Sequence, residues 1–132
     1  MYLLDTNACI GLWQRKNLTV RNHFARHSPE DIALCSVVKA ELLFGALPSE
    51  QKESNLQLLQ KLFVPLHNFD FDDEAAEHYA QIRADLTAQG NAIGANDLII
   101  AAIARANNAI LITHNTGEFG RVEGLLIEDW EV

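Results

Sequence analysis

The sequence predicts an α/β fold in which helices cover both faces of a parallel sheet. Short apolar runs of strand length alternate along the chain with stretches of helical periodicity, and parallel strands need helical crossovers between them. Polar residues suited to helix capping follow several of the apolar runs directly. No repeat, linker or low-complexity segment breaks the alternation, so residues 1–132 read as one domain.

Tyr2, Leu3 and Leu4 form the first strand. Asp5, Thr6 and Asn7 cap a helix through Ile10, Leu12 and Trp13. A second helix is expected from Thr19 to His27, stopped by Ser28 and Pro29. The next strand is Ile32 to Cys35, and Ser36 is the expected cap of a helix from Val37 to about Leu47. Asn55 to Phe63 puts Leu56, Leu59, Leu62 and Phe63 on one helical face. Val64, Pro65 and Leu66 are a weaker strand, its proline suited to an edge. Asp72 to Gln89 is amphipathic, with Ala75, Tyr79, Ile82 and Leu86 as its stripe and Gly90 in C-cap position. The helix from about Asn96 to Asn107 is apolar nearly all round, hence buried. Strands are expected at Ala109 to Ile112 and Gly124 to Ile127.

Three acids fall where a strand end meets a helix start. Asp5 follows the first strand, where the ordinary role of an aspartate is an N-cap. Glu41 lies one turn into the helix after the second strand, on a face with Val37, Val38, Phe44 and Gly45. A charge buried there is costly; a slightly rotated helix would instead turn it to solvent beside Lys39. Asp97 opens the buried helix, where the dipole favours an acid by about 0.3–1 kcal/mol. Singly, each has a structural explanation. Together they gather along one edge, because doubly wound sheets bind ligands beyond the carboxyl ends of their strands, where strand order reverses. Carboxylates ~4 Å apart repel by about 4 kcal/mol at an effective dielectric near 20. A cation, or a proton kept on one acid, makes such a cluster tolerable. All-oxygen donors select Mg²⁺ or Mn²⁺, ions suited to phosphate chemistry.

Composition bounds the partners. The chain has 132 residues and a net charge of −8, where a nucleic-acid binder usually carries a basic footprint. Residues 1–66 hold seven Lys/Arg against six Asp/Glu, while 67–132 hold three against twelve. A nucleic-acid substrate would therefore approach from the half carrying Arg15, Lys16, Arg21, Arg26 and Lys39, or a basic partner would cover the acidic surface. No apolar run reaches the ~20 residues of a membrane helix, and no signal peptide is evident at Met1. Cys9 and Cys35 have neither metal-ligand spacing nor the number for a disulfide scaffold, so a reduced, cytoplasmic setting is expected. Trp13, Trp130 and Cys35 are read as packing residues, and His114 as a surface or supporting residue near the site. The acids from Asp70 to Glu74 are read as a solvated helix start.

Four blocks, Leu3 to Asn7, Ser36 to Leu42, Ile93 to Ala101 and Ile112 to Phe119, resemble the signature blocks of VapC-type PIN-domain toxins, in family order across essentially the whole chain. Val122 to Leu125 and Asp129-Trp130 resemble that family's C-terminus. The resemblance implies a three-layer α/β/α fold with a central parallel sheet and a metal-dependent endoribonuclease. Such a toxin stops translation by cutting RNA, transfer RNA included. Asp5, Glu41 and Asp97 match the family's acidic positions, with Asp5 and Asp97 as direct ligands of Mg²⁺ (or Mn²⁺), and Thr6 and Thr113 as polar residues that steady the site. Many members carry a fourth acid where this chain has Asn115; Glu118, about one turn later, is the candidate replacement. The resemblance further implies a VapB-like antitoxin, contact with DNA only through that antitoxin, and a homodimer within the complex.

Two other readings compete. A receiver-like regulatory domain shares a doubly wound sheet with clustered acids, but needs a lysine after its last strand, where this chain has Glu128, Asp129 and Trp130. A non-catalytic binding module would use its acids as caps. Asp97→Ala separates that module from a nuclease, since loss of a cap costs only about 1 kcal/mol of stability.

Overall fold

The computed structural model describes residues 1–14 and 17–132, so Arg15 and Lys16 lie outside the described residues. Five strands form one parallel sheet: β1 (Tyr2–Leu4), β2 (Ile32–Cys35), β3 (His67–Phe69), β4 (Ile110–Ile112) and β5 (Leu126–Glu128). Their order is β3-β2-β1-β4-β5. The chain steps outward from β1 to β3, then returns to the other side of β1. With right-handed crossovers, that reversal moves the connecting helices to the opposite face. Helices α1 (Thr6–Trp13), α2 (Leu18–Ala25), α3 (Ser36–Ala46) and α4 (Lys52–Phe63) form one layer, and α5 (Asp73–Ala88) packs with α6 (Ala95–Ala106) in the other. This is the expected three-layer α/β/α arrangement. The order also differs from 2-1-3-4-5, the order of receiver-type sheets, which removes that alternative.

Central strands are buried on both sides, as a doubly covered sheet requires. Leu3, Leu4 and all four residues of β2 are fully enclosed, and Ala101, Ala102 and Ala104 give α6 a smooth surface against its neighbours. The α5 helix starts on its Asp72 cap, whose side chain accepts from the Ala75 N–H at 2.9 Å. It ends as predicted at Gly90, with φ of +68°. There the Asn91 N–H donates to the Leu86 carbonyl and the Gly90 N–H to that of Thr87, the paired bonds of a Schellman cap. The α6 helix closes the same way with Asn108 at φ of +52°. Ala109 N–H donates to Ala104 and Asn108 N–H to Arg105, turning the chain into β4.

Several expectations need correction. The strand placed at Val64 to Leu66 lies three residues later, at His67–Phe69. Residues 64–66 instead continue out of α4 as a turn, with Val64 N–H bonded to the Gln60 carbonyl and Leu66 N–H to that of Phe63. Ser36 is inside α3; its N-cap is Cys35, which makes no side-chain cap bond. The second helix runs from Leu18 to Ala25 because Asn17 caps it, accepting from the Val20 N–H at 3.1 Å. The last strand is shifted onto Leu126–Glu128, and a four-residue helix, α7 (Thr116–Phe119), precedes it. Its signal is weak at that length; Phe119, 1% exposed, anchors it to the core. Among the described residues, no helix is long and apolar enough to cross a membrane.

Candidate active site

The reversal of strand order falls between β1 and β4. Asp5 leaves β1 there, and Thr113 leaves β4 beside it; the Asp5 N–H donates to the Ile112 carbonyl at 3.1 Å. Asp5 is only 5% exposed and Thr113 1%, the two buried polar or charged side chains among the described residues. Asp5 does cap α1, accepting from the Ala8 N–H at 2.8 Å. The Thr113 hydroxyl hydrogen-bonds its carboxylate and accepts from the Asn115 N–H at 3.0 Å. Capping accounts for one oxygen of Asp5 and leaves its burial unexplained.

Burial pushes the Asp5 carboxyl up to about 6. The hydrogen bonds from Thr113 and Ala8 pull it down, and the charges of Asp97 and Glu131 raise it further. Among the described residues, no lysine or arginine pairs with it. Asp97, in the first turn of α6, is raised by burial, then by the charges of Glu118 and Glu41. Its Oδ2 lies over Gly94, 3.6 Å from where a side chain there would begin.

Glu41 arrives from α3, partly exposed, accepting from the Asn96 amide at 3.4 Å, a long bond. The apolar stripe expected around it is not buried as a whole: Val38 is enclosed, but Phe44 is 74% exposed. Nor does Lys39 accompany it. The Lys39 ammonium sits 5.4 Å from the centre of the Phe63 ring. Glu118, on α7, receives a hydrogen bond from the Asn115 amide. The charge of Glu118, like that of Glu41, reaches Asp97.

The structure thus brings together all five residues singled out from sequence: Asp5, Glu41, Asp97, Asn115 and Glu118. Their donors are oxygens from four carboxylates and one amide, a set matched to a hard divalent ion. Two observations fit such an ion. Asp5 is a buried acid without a cationic partner, and the buried Thr6 hydroxyl beside it makes no hydrogen bond. Among the described residues, the one trio of metal-type side chains with donor atoms within 4.8 Å is a different one, His114, Asp129 and Glu131.

Sequence reasoning missed that second group. His114 is exposed, and its Nδ1 lies 2.8 Å from Asp129 and 3.3 Å from Glu131. Glu131 also accepts from the Asn17 amide at 2.8 Å. The anchor is Trp130, 1% exposed, whose indole stacks on His23 of α2 at 5.6 Å and on His27, just after that helix, at 5.2 Å. Reading Trp130 as a packing residue was correct. That it carries two flanking acids to the site's edge was the available signal.

The molecule can be set beside known proteins. A family model described as the PIN domain matches residues 2–125. The chain is 40% identical over 129 residues to the tRNA(fMet)-specific endonuclease VapC of Shigella flexneri, covering 98% of this chain and 97% of that protein. Its fold is similar, with a TM-score of 0.90 and 35% identity, to a chain in the crystal structure of VapBC2 from Rickettsia felis bound to a promoter DNA fragment, covering 98% of each. DNA-bound VapBC from Salmonella typhimurium gives the same TM-score and identity over 98% of this chain and 97% of that one. Matched over nearly its full length in sequence and in fold, the chain belongs to the PIN-domain family and, within it, to the VapC-type ribonuclease toxins.

Proposed function

We propose that this chain is a Mg²⁺-dependent endoribonuclease (Mn²⁺ substituting), the toxin of a toxin–antitoxin pair that stops translation by cutting RNA. The observation that carries the reading is the convergence of Asp5, Glu41, Asp97 and Glu118 at the β1–β4 switch point, with the buried Asp5 lacking a cationic partner. In the proposed centre Asp5 and Asp97 hold the ion directly, with Glu41 completing the carboxylate set. Thr113 fixes the rotamer of Asp5 through its hydroxyl, and Asn115 with Glu118 orients an attacking water or the scissile phosphate. A bound divalent ion supplies a water of lowered pKa and polarises the phosphoryl oxygen.

The relatives' names support the substrate class and their crystal structures the partner. One relative is named a tRNA(fMet)-specific endonuclease, which makes transfer RNA the first substrate to test. Three similar structures are VapBC complexes, two of them on DNA, and support a VapB-like antitoxin that brings any DNA contact. On this chain an open apolar groove of about 350 Å³ between α1, α2 and α4, lined by Leu12, Trp13, Phe24, Leu58 and Leu62 with Arg21, suits the apolar face of such a partner. Leu58 is 43% exposed, so Leu58→Glu is tolerated by the fold. That variant is expected to lose at least tenfold in affinity for the co-expressed antitoxin, measured by calorimetry, and to cut RNA at the wild-type rate when alone. Unchanged affinity would place the partner elsewhere.

The decisive experiment incubates antitoxin-free protein with total cellular RNA. Discrete fragments are expected with Mg²⁺ and none with EDTA, with recovery when Mg²⁺ is restored. Cleavage undiminished by EDTA would rule out the metal mechanism.

A further inference from the structure

Beside the acid cluster lies an open groove of about 600 Å³, lined by Asn7, Ile10, Gly11, Asn17, His114, Asn115 and Glu131. It is within the range of small-ligand sites and abuts the proposed chemistry. Asn7 is two residues from Asp5, Asn115 is bonded to Glu118, and the charge of Asp5 reaches both His114 and Glu131.

Its chemistry is unlike that of a phosphate site. Among the described residues lining it there is no lysine or arginine, and Glu131 contributes a carboxylate to the wall. The Glu131 carboxylate disfavours a phosphodiester placed against it and leaves an uncharged planar group unaffected. Asn7 offers a side-chain amide of the kind that reads base edges. Asn17 and Asn115, whose amides already donate to Glu131 and Glu118, each keep one further N–H and at least one carbonyl lone pair. The His114 ring is an exposed flat surface held in one orientation, because its Nδ1 lies between Asp129 and Glu131 at 2.8 and 3.3 Å. Asn17 in turn holds Glu131 while capping α2, and Ile10 gives the groove an apolar patch.

The geometry points to a nucleobase subsite: the unpaired base next to the cleaved phosphate stacks on His114 and presents its edge to Asn7, Asn17 and Asn115. This rests on the ribonuclease reading and deepens it. The metal cluster takes the phosphate and the groove takes the base. Asp129 and Glu131 are positioning residues in this scheme, acting through His114. Recognition of a splayed base also fits a protein whose net charge of −8 gives weak general attraction to RNA.

The test uses the full chain with Mg²⁺, a randomised single-stranded RNA library, and sequencing of the cut ends. Wild type is expected to show a base preference at one position flanking the cut. His114→Ala lowers kcat/KM about tenfold, the scale of one lost base–ring stack. His114→Phe, which keeps a ring, recovers most of it. Asn7→Ala, a change at an exposed position on α1, flattens the base preference. With an RNA abasic at the preferred position, wild type, His114→Ala and Asn7→Ala become equal, a convergence that a merely structural role would not produce. Variants that keep wild-type rate and preference, or losses that persist on abasic RNA, overturn the subsite while leaving the nuclease intact. A wild-type protein that cuts no RNA overturns the nuclease reading and the subsite with it.

Discussion

Replacing Asp97 by alanine is expected to remove Mg²⁺-dependent RNA cleavage almost completely, by about a thousandfold or more, while leaving the fold intact. That factor corresponds to roughly 4 kcal/mol of transition-state stabilisation, in keeping with the several kcal/mol supplied by a bound ion at a phosphoryl centre. The stability change is small because two effects oppose. Asp97 in the first turn of α6 gains from the helix dipole, typically about 0.3–1 kcal/mol. Burial and the charges of Glu118 and Glu41 work against it, as its raised pKa records. Alanine forfeits the first and relieves the second, in a helix where it is the best-tolerated residue. Fragment yield on a gel and a urea melt measure the two sides. A variant cutting at more than a tenth of the wild-type rate would show that Asp97 is only a helix-start residue.

Asp5→Asn makes a sharper contrast: it should destroy activity and stabilise the metal-free protein. Asparagine caps helices as well as aspartate does, so the bond from Ala8 survives. What changes is the charge. In protein stripped of divalent ions the Asp5 carboxyl sits at about 6 when folded, against 3.8 for its ordinary value. A carboxyl that holds its proton more tightly when folded favours folding below its unfolded pKa. That contribution disappears as pH rises through the folded value. Asp5 therefore costs the metal-free protein on the order of 3 kcal/mol at neutral pH. The variant is expected to melt several degrees above wild type at pH 7.5 in EDTA, with the difference vanishing near pH 4. Added Mg²⁺ should raise the wild-type Tm, because the ion binds the native state, and leave Asp5→Asn unmoved. A variant less stable than wild type at pH 7.5 in EDTA would mean that the buried charge carries no such penalty.

The two substitutions also explain why local reasoning about these acids was incomplete. Asp5 is both the helix cap that its sequence context suggests and a member of the cluster, so the two explanations were never exclusive. Glu41 was harder. Its position on α3 was legible from spacing, but the apolar face drawn around it was not, because Phe44 and Gly45 lie on the solvent side. Helix rotation is set by what packs against the helix, and a short apolar sequence fits several rotations. The misplaced third strand has a similar cause. His67, Asn68 and Phe69 are mostly exposed at the sheet edge, so hydrophobicity marked the neighbouring turn instead.

By itself, the sequence determined the alternation of strands and helices, the C-cap at Gly90, and the presence of an acid after each of two strands and at the start of the buried helix. These are local properties, written in periodicity and in single residues with strong conformational preferences. Only the tertiary structure decided that β1 and β4 are neighbours, so that Asp5 meets Thr113 while Glu118 and Glu41 face Asp97. It also decided that the Trp130 anchor draws Asp129 and Glu131 to His114, beside the site. Strand adjacency and chain return are chosen by the burial of the whole core, a sum over contacts between residues far apart in sequence, and no short stretch contains that sum.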